Sequence, residues 1–177
     1  MVGKSKGAEQ KPRAKARQFQ LADAGVLVLF VVVCLLAGAV GSLFTMPYIT
    51  SWYAFLNKPF FSPPNWVFGP VWTALYILMG IALFLVWKQG VRRLDVSNAM
   101  AWFGAQLALN VLWSMVFFGM QFPWGGAVMI LLLWATLAVT IWKFYKISRT
   151  AGILLVPYML WGTFATLLNI AVALMNP

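Results

Sequence analysis

The chain predicts an all-α integral membrane protein, a bundle of five transmembrane helices, and three observations lead to that fold class. Of its 177 residues 63% are hydrophobic and only 9% charged. The apolar residues gather into five runs of about 20 residues or more, the length a helix needs to cross a bilayer core about 30 Å thick. The runs also lack the strict alternation of barrel strands, so each can satisfy its backbone polar groups within itself as a helix.

The elements follow in order. Residues 1–19 read as a basic, disordered tail, and 20–177 as the transmembrane domain. The first span covers about 21–45; its apolar stretch exceeds the 7–15 residues of a signal-peptide core, so it reads as a retained helix. Between Trp52 and Trp72 comes WYAFLNKPFFSPPNWVFGPVW, aromatic-rich and carrying one charge. Pro59, Pro63 and Pro64 remove backbone donors there, so the segment cannot be one continuous helix. It predicts a shaped loop between the first two helices, with Trp52, Tyr53, Phe55, Phe60, Phe61 and Trp66 near the membrane-water boundary, capping a ligand cavity. The plainer alternative is an interfacial aromatic belt on a connector. The remaining spans fall at about 66–87, 98–118, 124–144 and 151–175, and Pro70 and Pro157 are expected to kink the second and fifth.

The net charge of +10 is mostly a topology signal. Twelve of the thirteen basic residues fall in the tail (Lys4, Lys6, Lys11, Arg13, Lys15, Arg17), the second loop (Lys88, Arg92, Arg93) and the fourth (Lys143, Lys146, Arg149). Only Lys58 falls on the other side. The positive-inside bias therefore puts the N-terminus in the cytoplasm and the C-terminus outside. A prokaryotic cell membrane is the expected location, with an organelle membrane as the alternative. Nucleic-acid binding is not expected, and the partners anticipated are the lipid bilayer and a hydrophobic small molecule.

Absences narrow the chemistry. There is no histidine, so histidine-based metal sites, haem ligation and acid-base catalysis are excluded, and neither metal nor cofactor is expected. The three acids, Glu9, Asp23 and Asp95, lie near span ends or in the tail, which argues against proton-coupled pumping. Cys34 is the only cysteine, so an intrachain disulfide is impossible.

The intramembrane polar groups are neutral: Gln106, Asn110 and Ser114 in the third span, and Thr163, Thr166 and Asn169 in the fifth. Spacing by four places the first three on one helical face. They either bond between helices or line a cavity for an otherwise apolar ligand, with Trp113 and Phe117 supplying ring surface beside them. Of the ten tryptophans, Trp87, Trp102 and Trp142 suit a belt near span ends. Trp72 and Trp161 lie inside spans and Trp124 at the mouth of the fourth; such rings either fill a core or wall a flat ligand.

Four segments carry a resemblance: GSLF at 41–44, WYAFLNKPFFSPPNWVFGPVWTALY at 52–76, QLALNVLWSMVFFG at 106–119 and PYMLWGTFATLLN at 157–169. In order and spacing the chain beyond its tail resembles the TspO/MBR family, the tryptophan-rich sensory proteins and the translocator protein or peripheral benzodiazepine receptor. The resemblance implies a five-helix receptor or regulator whose cavity binds porphyrins and similar flat ligands, with a carrier role open. Matching positions imply a site from Ser42 and Thr45 in the first span, Tyr53 in the loop and Trp72 in the second span. Asn110 and Ser114 join from the third, Trp124 and Ala127 from the fourth, and Trp161, Ala165 and Leu168 from the fifth. Trp72 and Trp161 match tryptophans implicated in light-dependent porphyrin degradation, which makes a photo-oxidative enzyme one alternative; a structural scaffold is the other.

The sterol-recognition stretch of mitochondrial members places a tyrosine and an arginine after the fifth-span asparagine. Here IAVALMNP follows Asn169, so sterol recognition by that route is not supported. Ala101, Gly104, Ala105 and Ala108 form a small-residue strip on the third span that lets a second helix approach closely, and a homodimer through it is expected, as in the family.

Overall fold

The computed structural model describes residues 21–177, with side chains from Asp23 onward, so the tail expected at 1–19 lies outside the described residues. The chain forms α1 (Leu21–Ile49), the short α2 (Trp52–Phe55), a single 3-10 turn (Asn65–Val67) leading into α3 (Phe68–Trp87), and α4 (Leu94–Ser114), which runs into a π-helical turn (Met115–Gly119). α5 (Pro123–Ile147), the short α6 (Arg149–Leu154) and α7 (Val156–Met175) complete it. Five stretches, Asp23–Ile49, Asn65–Trp87, Leu94–Gly119, Pro123–Ile147 and Arg149–Met175, are long and apolar enough to cross a bilayer. The protein is an all-helical integral membrane protein, with no strand among the described residues.

The two prolines expected to kink their spans act differently from each other. Pro157 stands in the first turn of α7, where its missing N–H has no intrahelical acceptor to lose. The fifth span is broken just before it, at Leu155, whose N–H turns back to the Gly152 carbonyl at 3.2 Å, so the interruption expected of Pro157 is present there. Pro70 likewise lies in the first turn of α3. The proline within a spanning helix is Pro47, and α1 continues through it to Ile49, past the expected end at Thr45. Its place in the last turn limits the loss to a single ladder bond.

α1 and α3 pack closely. A Cβ added to Gly80 would stand 2.5 Å from the Val31 Cα, and one on Gly38 would collide with the Tyr76 ring, so only glycine lets these helices meet. At their far end Lys88 Nζ pairs with the buried Asp23 carboxylate at 3.3 Å, tying the start of α1 to the end of α3. α5 packs between α4 and α7. One apolar core fills this end of the bundle around Met79, Leu137, Phe144 and Tyr158; a second gathers Tyr53, Phe117, Phe118, Leu168 and Val172 near the opposite end. The π-helical turn, closed by Met120 N–H to Met115 O at 2.8 Å, inserts an extra residue and turns both Phe117 and Phe118 inward.

The segment after α1 is held by its own bonds. Lys58 Nζ donates to the carbonyls of Tyr53 at 2.8 Å, Ala54 at 3.2 Å and Leu56 at 3.3 Å, supplying partners for the end of α2. The Phe61 ring meets Phe164 edge-on at 6.3 Å.

Candidate functional site

Between the two cores, α1 and α3 part and leave a cavity of about 550 Å³. That lies within the range of small-molecule sites, about 300–1,000 Å³. Its walls come from α1, α2, the 3-10 turn, α3, α4, the π-helical turn and α7, and no charged side chain among the described residues lines it. Aromatic surface dominates: Tyr53, Trp66, Phe68, Trp72, Trp113 and Phe117 all border the space.

One network fixes the floor. Tyr76 donates its hydroxyl to Asn110 Oδ1 at 2.5 Å, and Asn110 Nδ2 donates to the Tyr158 hydroxyl oxygen at 2.8 Å, joining α3, α4 and α7. Trp72, one turn before Tyr76, stacks on it at 5.6 Å and meets Tyr158 edge-on at 5.8 Å. A second pair closes the α4–α7 side, where Trp113 Nε1–H donates to Asn169 Oδ1 at 2.9 Å and Asn169 Nδ2 donates to Pro123 O at 3.0 Å. Polar groups buried in this low-dielectric setting are costly without partners, so these pairings hold the wall in one arrangement.

The serine and threonine hydroxyls of α1 and α3 are turned onto their own helices. Ser42 donates to Ala39 O at 2.7 Å, Thr45 to Gly41 O at 3.1 Å and Thr73 to Gly69 O at 2.9 Å. The cavity therefore presents methyl and ring surface with few polar points, among them Ser114 beside Gly41.

At the α2 side Tyr53 is buried, edge-on to Phe117 at 6.3 Å and tilted against Phe118 at 5.5 Å. Burial raises its hydroxyl above the usual tyrosine pKa, and a hydrogen bond with Ser62 works against that rise. The Lys58 ammonium sits 4.8 Å from the same ring.

Eight of the eleven expected site residues border the cavity: Ser42, Thr45, Tyr53, Trp72, Asn110, Ser114, Ala165 and Leu168. Trp124, Ala127 and Trp161 do not. Phe117 and the Asn169 amide fill the space against α5 at Gly126, next to Ala127, while Trp124 is largely exposed. Trp161 stands behind a lining ring, edge-on to Phe68 at 5.8 Å and tilted against Phe164 at 5.3 Å, its buried Nε1–H without a partner. The polar face of α4 divides: Asn110 and Ser114 reach the cavity, whereas Gln106 is buried below it with both side-chain polar atoms unpartnered.

Sequence reasoning passed over Tyr76, Phe68 and Phe118. Tyr76 carried a usable signal, since it follows Trp72 by one helical turn and must share its face. Phe118 carried none, because only the π-helical turn brings it inward.

The TspO/MBR family model matches residues 30–175. A tryptophan-rich protein TspO of Archaeoglobus fulgidus is 45% identical over 150 residues, covering 85% of this chain and 96% of that one. A tryptophan-rich sensory protein of Cereibacter sphaeroides is 42% identical over 126 residues, 71% of this chain and 77% of its own. The human translocator protein is 41% identical over 135 residues, 75% and 79% of the respective chains. A match that takes in all five spanning helices and nearly the whole of such a relative leaves one conclusion: the chain belongs to the TspO/MBR family.

Proposed function

We propose that the chain is a membrane receptor of the sensory kind named among its relatives, and that it binds porphyrins and similar flat apolar molecules. One observation carries the reading: a cavity of about 550 Å³ walled by indole and phenyl rings and neutral amides, with no charge in its lining among the described residues. Ring faces offer a planar macrocycle offset stacking and dispersion contact. The amides and hydroxyls of Asn110 and Ser114 orient it without ionic pairing. Any carboxylate on the ligand stays at the mouth, because a bare ion against this lining would lack a counter-charge.

In this reading the segment 52–64 serves as the lid. Tyr53 stands in the cavity wall, and Lys58 holds the three carbonyls around it. Ala101, Gly104, Ala105 and Ala108 are all exposed on α4 and supply the face of a homodimer. Cysteine crosslinking at position 105 in membranes tests that face, and a wholly monomeric population removes it. The membrane is a prokaryotic cell membrane, with the lid outside and Lys88, Arg92, Arg93, Lys143, Lys146 and Arg149 on the cytoplasmic side.

Protoporphyrin titrated into the chain in nanodiscs, read by tryptophan fluorescence, tests the site. Saturable quenching that disappears in Ala165→Trp, which fills the cavity, is expected. Unsaturable quenching, or quenching untouched by Ala165→Trp, leaves a structural scaffold. A second reading, photo-oxidation of the bound tetrapyrrole by dioxygen, draws on Trp72 stacked against Tyr76 within the lining. Illumination then gives a new product absorbance that Trp72→Phe suppresses; bleaching at the same rate without protein ends that reading.

A further inference from the structure

The cavity walls differ in exposure from side to side. Lining residues on α2, α4 and α7 are buried or half-buried, among them Tyr53, Asn110, Trp113, Ser114, Leu168 and Val172. The exposed lining residues fall on α1 and on the stretch 65–73: Ala39, Met46 at 70%, Asn65, Trp66 at 75%, Gly69 and Thr73. Deeper in the bundle α1 and α3 touch at Gly38 and Gly80. Nearer the α2 end, Ala39, Gly69 and Thr73 are too small to bridge the gap, and a Cβ on Gly69 would meet nothing within 4 Å.

This opening faces hydrocarbon. With a rise of 1.5 Å per residue, Ala39 lies about 15 Å from the end of α1 at Ile49, and Thr73 about 8 Å from the start of α3 at Phe68. Both depths fall within the nearer half of a core about 30 Å thick. The rim suits that solvent, since the Ser42 and Thr73 hydroxyls are already bonded to their own helices. Entry from the α2 end, by contrast, would have to draw Tyr53 away from Phe117 and Phe118 and release the Lys58 contacts.

We infer that the cavity is continuous with the lipid of the nearer leaflet through a side opening between α1 and α3, which a phospholipid acyl chain enters and which membrane-dissolved ligands use to exchange. A closed apolar void stays dry. One bordering hydrocarbon takes up a chain, which gains dispersion contact on every side. The exchange route rests on the reading of the cavity as a site for flat apolar ligands; entry of an acyl chain does not.

The test uses the full chain in nanodiscs containing a phosphatidylcholine with a diazirine in its acyl chain. Photolysis and peptide mass spectrometry should place adducts on the interior residues Trp113, Ser114 and Leu168, and these should be lost in Thr73→Trp or, if that variant folds poorly, in Ala39→Phe. Adducts confined to outward residues such as Leu36 and Leu43 overturn the opening. Stopped-flow mixing with protoporphyrin tests the route: association and dissociation should both slow about tenfold in the plugged variant. Exchange at the parent rate, or slowed association with dissociation unchanged, overturns it. Absence of any saturable protoporphyrin binding removes the tetrapyrrole reading, while the adduct pattern still decides the opening.

Discussion

Asn57 and Asn176 exchange hydrogen bonds across the mouth of the bundle: the Asn57 N–H donates to Asn176 Oδ1 at 3.0 Å, and Asn176 Nδ2 donates back to Asn57 O at 2.9 Å. The second amide proton of Asn176 reaches Val172 O at 2.8 Å, so one side chain fastens the segment after α2 to the last turn of α7. Both Asn57 bonds use its backbone, which makes Asn176 the side chain that matters. Asn176→Ala should weaken this tie by about 1–2 kcal/mol, as exposed hydrogen bonds net about 1 kcal/mol apiece. Amide exchange in residues 52–64 should quicken while the core of α5 is unaffected. Asn57→Ala, which removes only a 3.4 Å contact to Met175 O, should have the smaller effect; equal effects would contradict this account.

Tyr53 predicts how the same segment responds to alkali. Its hydroxyl is buried and its pKa raised above the ordinary 10.0, so the folded segment holds the proton more tightly than the unfolded chain does. By linkage the stability this lends is complete below pH about 10 and is lost as pH rises through the raised folded value. The tyrosinate absorbance missing from Tyr53→Phe, taken as a difference from the parent, should titrate above 10, and the segment should loosen over the same range. A Tyr53 signal titrating at or below 10 would show the ring to be solvated.

Asn110 joins three helices through two phenols, so its loss should exceed that of either phenol alone. Asn110→Leu leaves the buried Tyr76 and Tyr158 hydroxyls short of partners. Interhelical bonds in membranes average about 0.6 kcal/mol each, and a stranded buried group costs about 1–3 kcal/mol. A fall of about 2 kcal/mol is expected in a thermal or denaturant assay. Tyr76→Phe combined with Asn110→Leu should cost less than the sum of the two, because both remove one bond. Strict additivity would place Tyr76 outside the network.

The bundle was legible in the sequence because a bilayer permits few answers: each run of about 20 apolar residues must satisfy its own backbone. The ends were less legible. Pro47 and Pro157 look alike as text, yet one sits in a last turn and the other in a first, and only tertiary packing decides which. In the site, Asn110 and Ser114 were readable from their four-residue spacing, but Gln106 on the same face lies below the cavity floor. Trp124, Ala127 and Trp161 do not border the cavity, and nothing in their spacing distinguishes them from the residues that do. Phe117 and Asn169 pack against α5 at Gly126, beside Ala127, Phe68 packs against Trp161, and Trp124 is exposed.

Gly80 supplies the sharpest test of the α1–α3 contact on which the cavity depends. An added methyl would lie 2.5 Å from Val31 Cα and 2.8 Å from Val31 N, and backbone cannot swing aside as a side chain can. Gly80→Ala must push the helices apart, at a cost of about 1–3 kcal/mol typical of overpacking. That exceeds the gain in helix propensity of up to about 1 kcal/mol. Gly25→Ala on α1, where nothing stands within 4 Å, keeps only the propensity gain and should be neutral or slightly stabilising. Melting of the two variants in one detergent measures the difference. A Gly80→Ala protein as stable as Gly25→Ala would mean that the two helices do not meet at Val31.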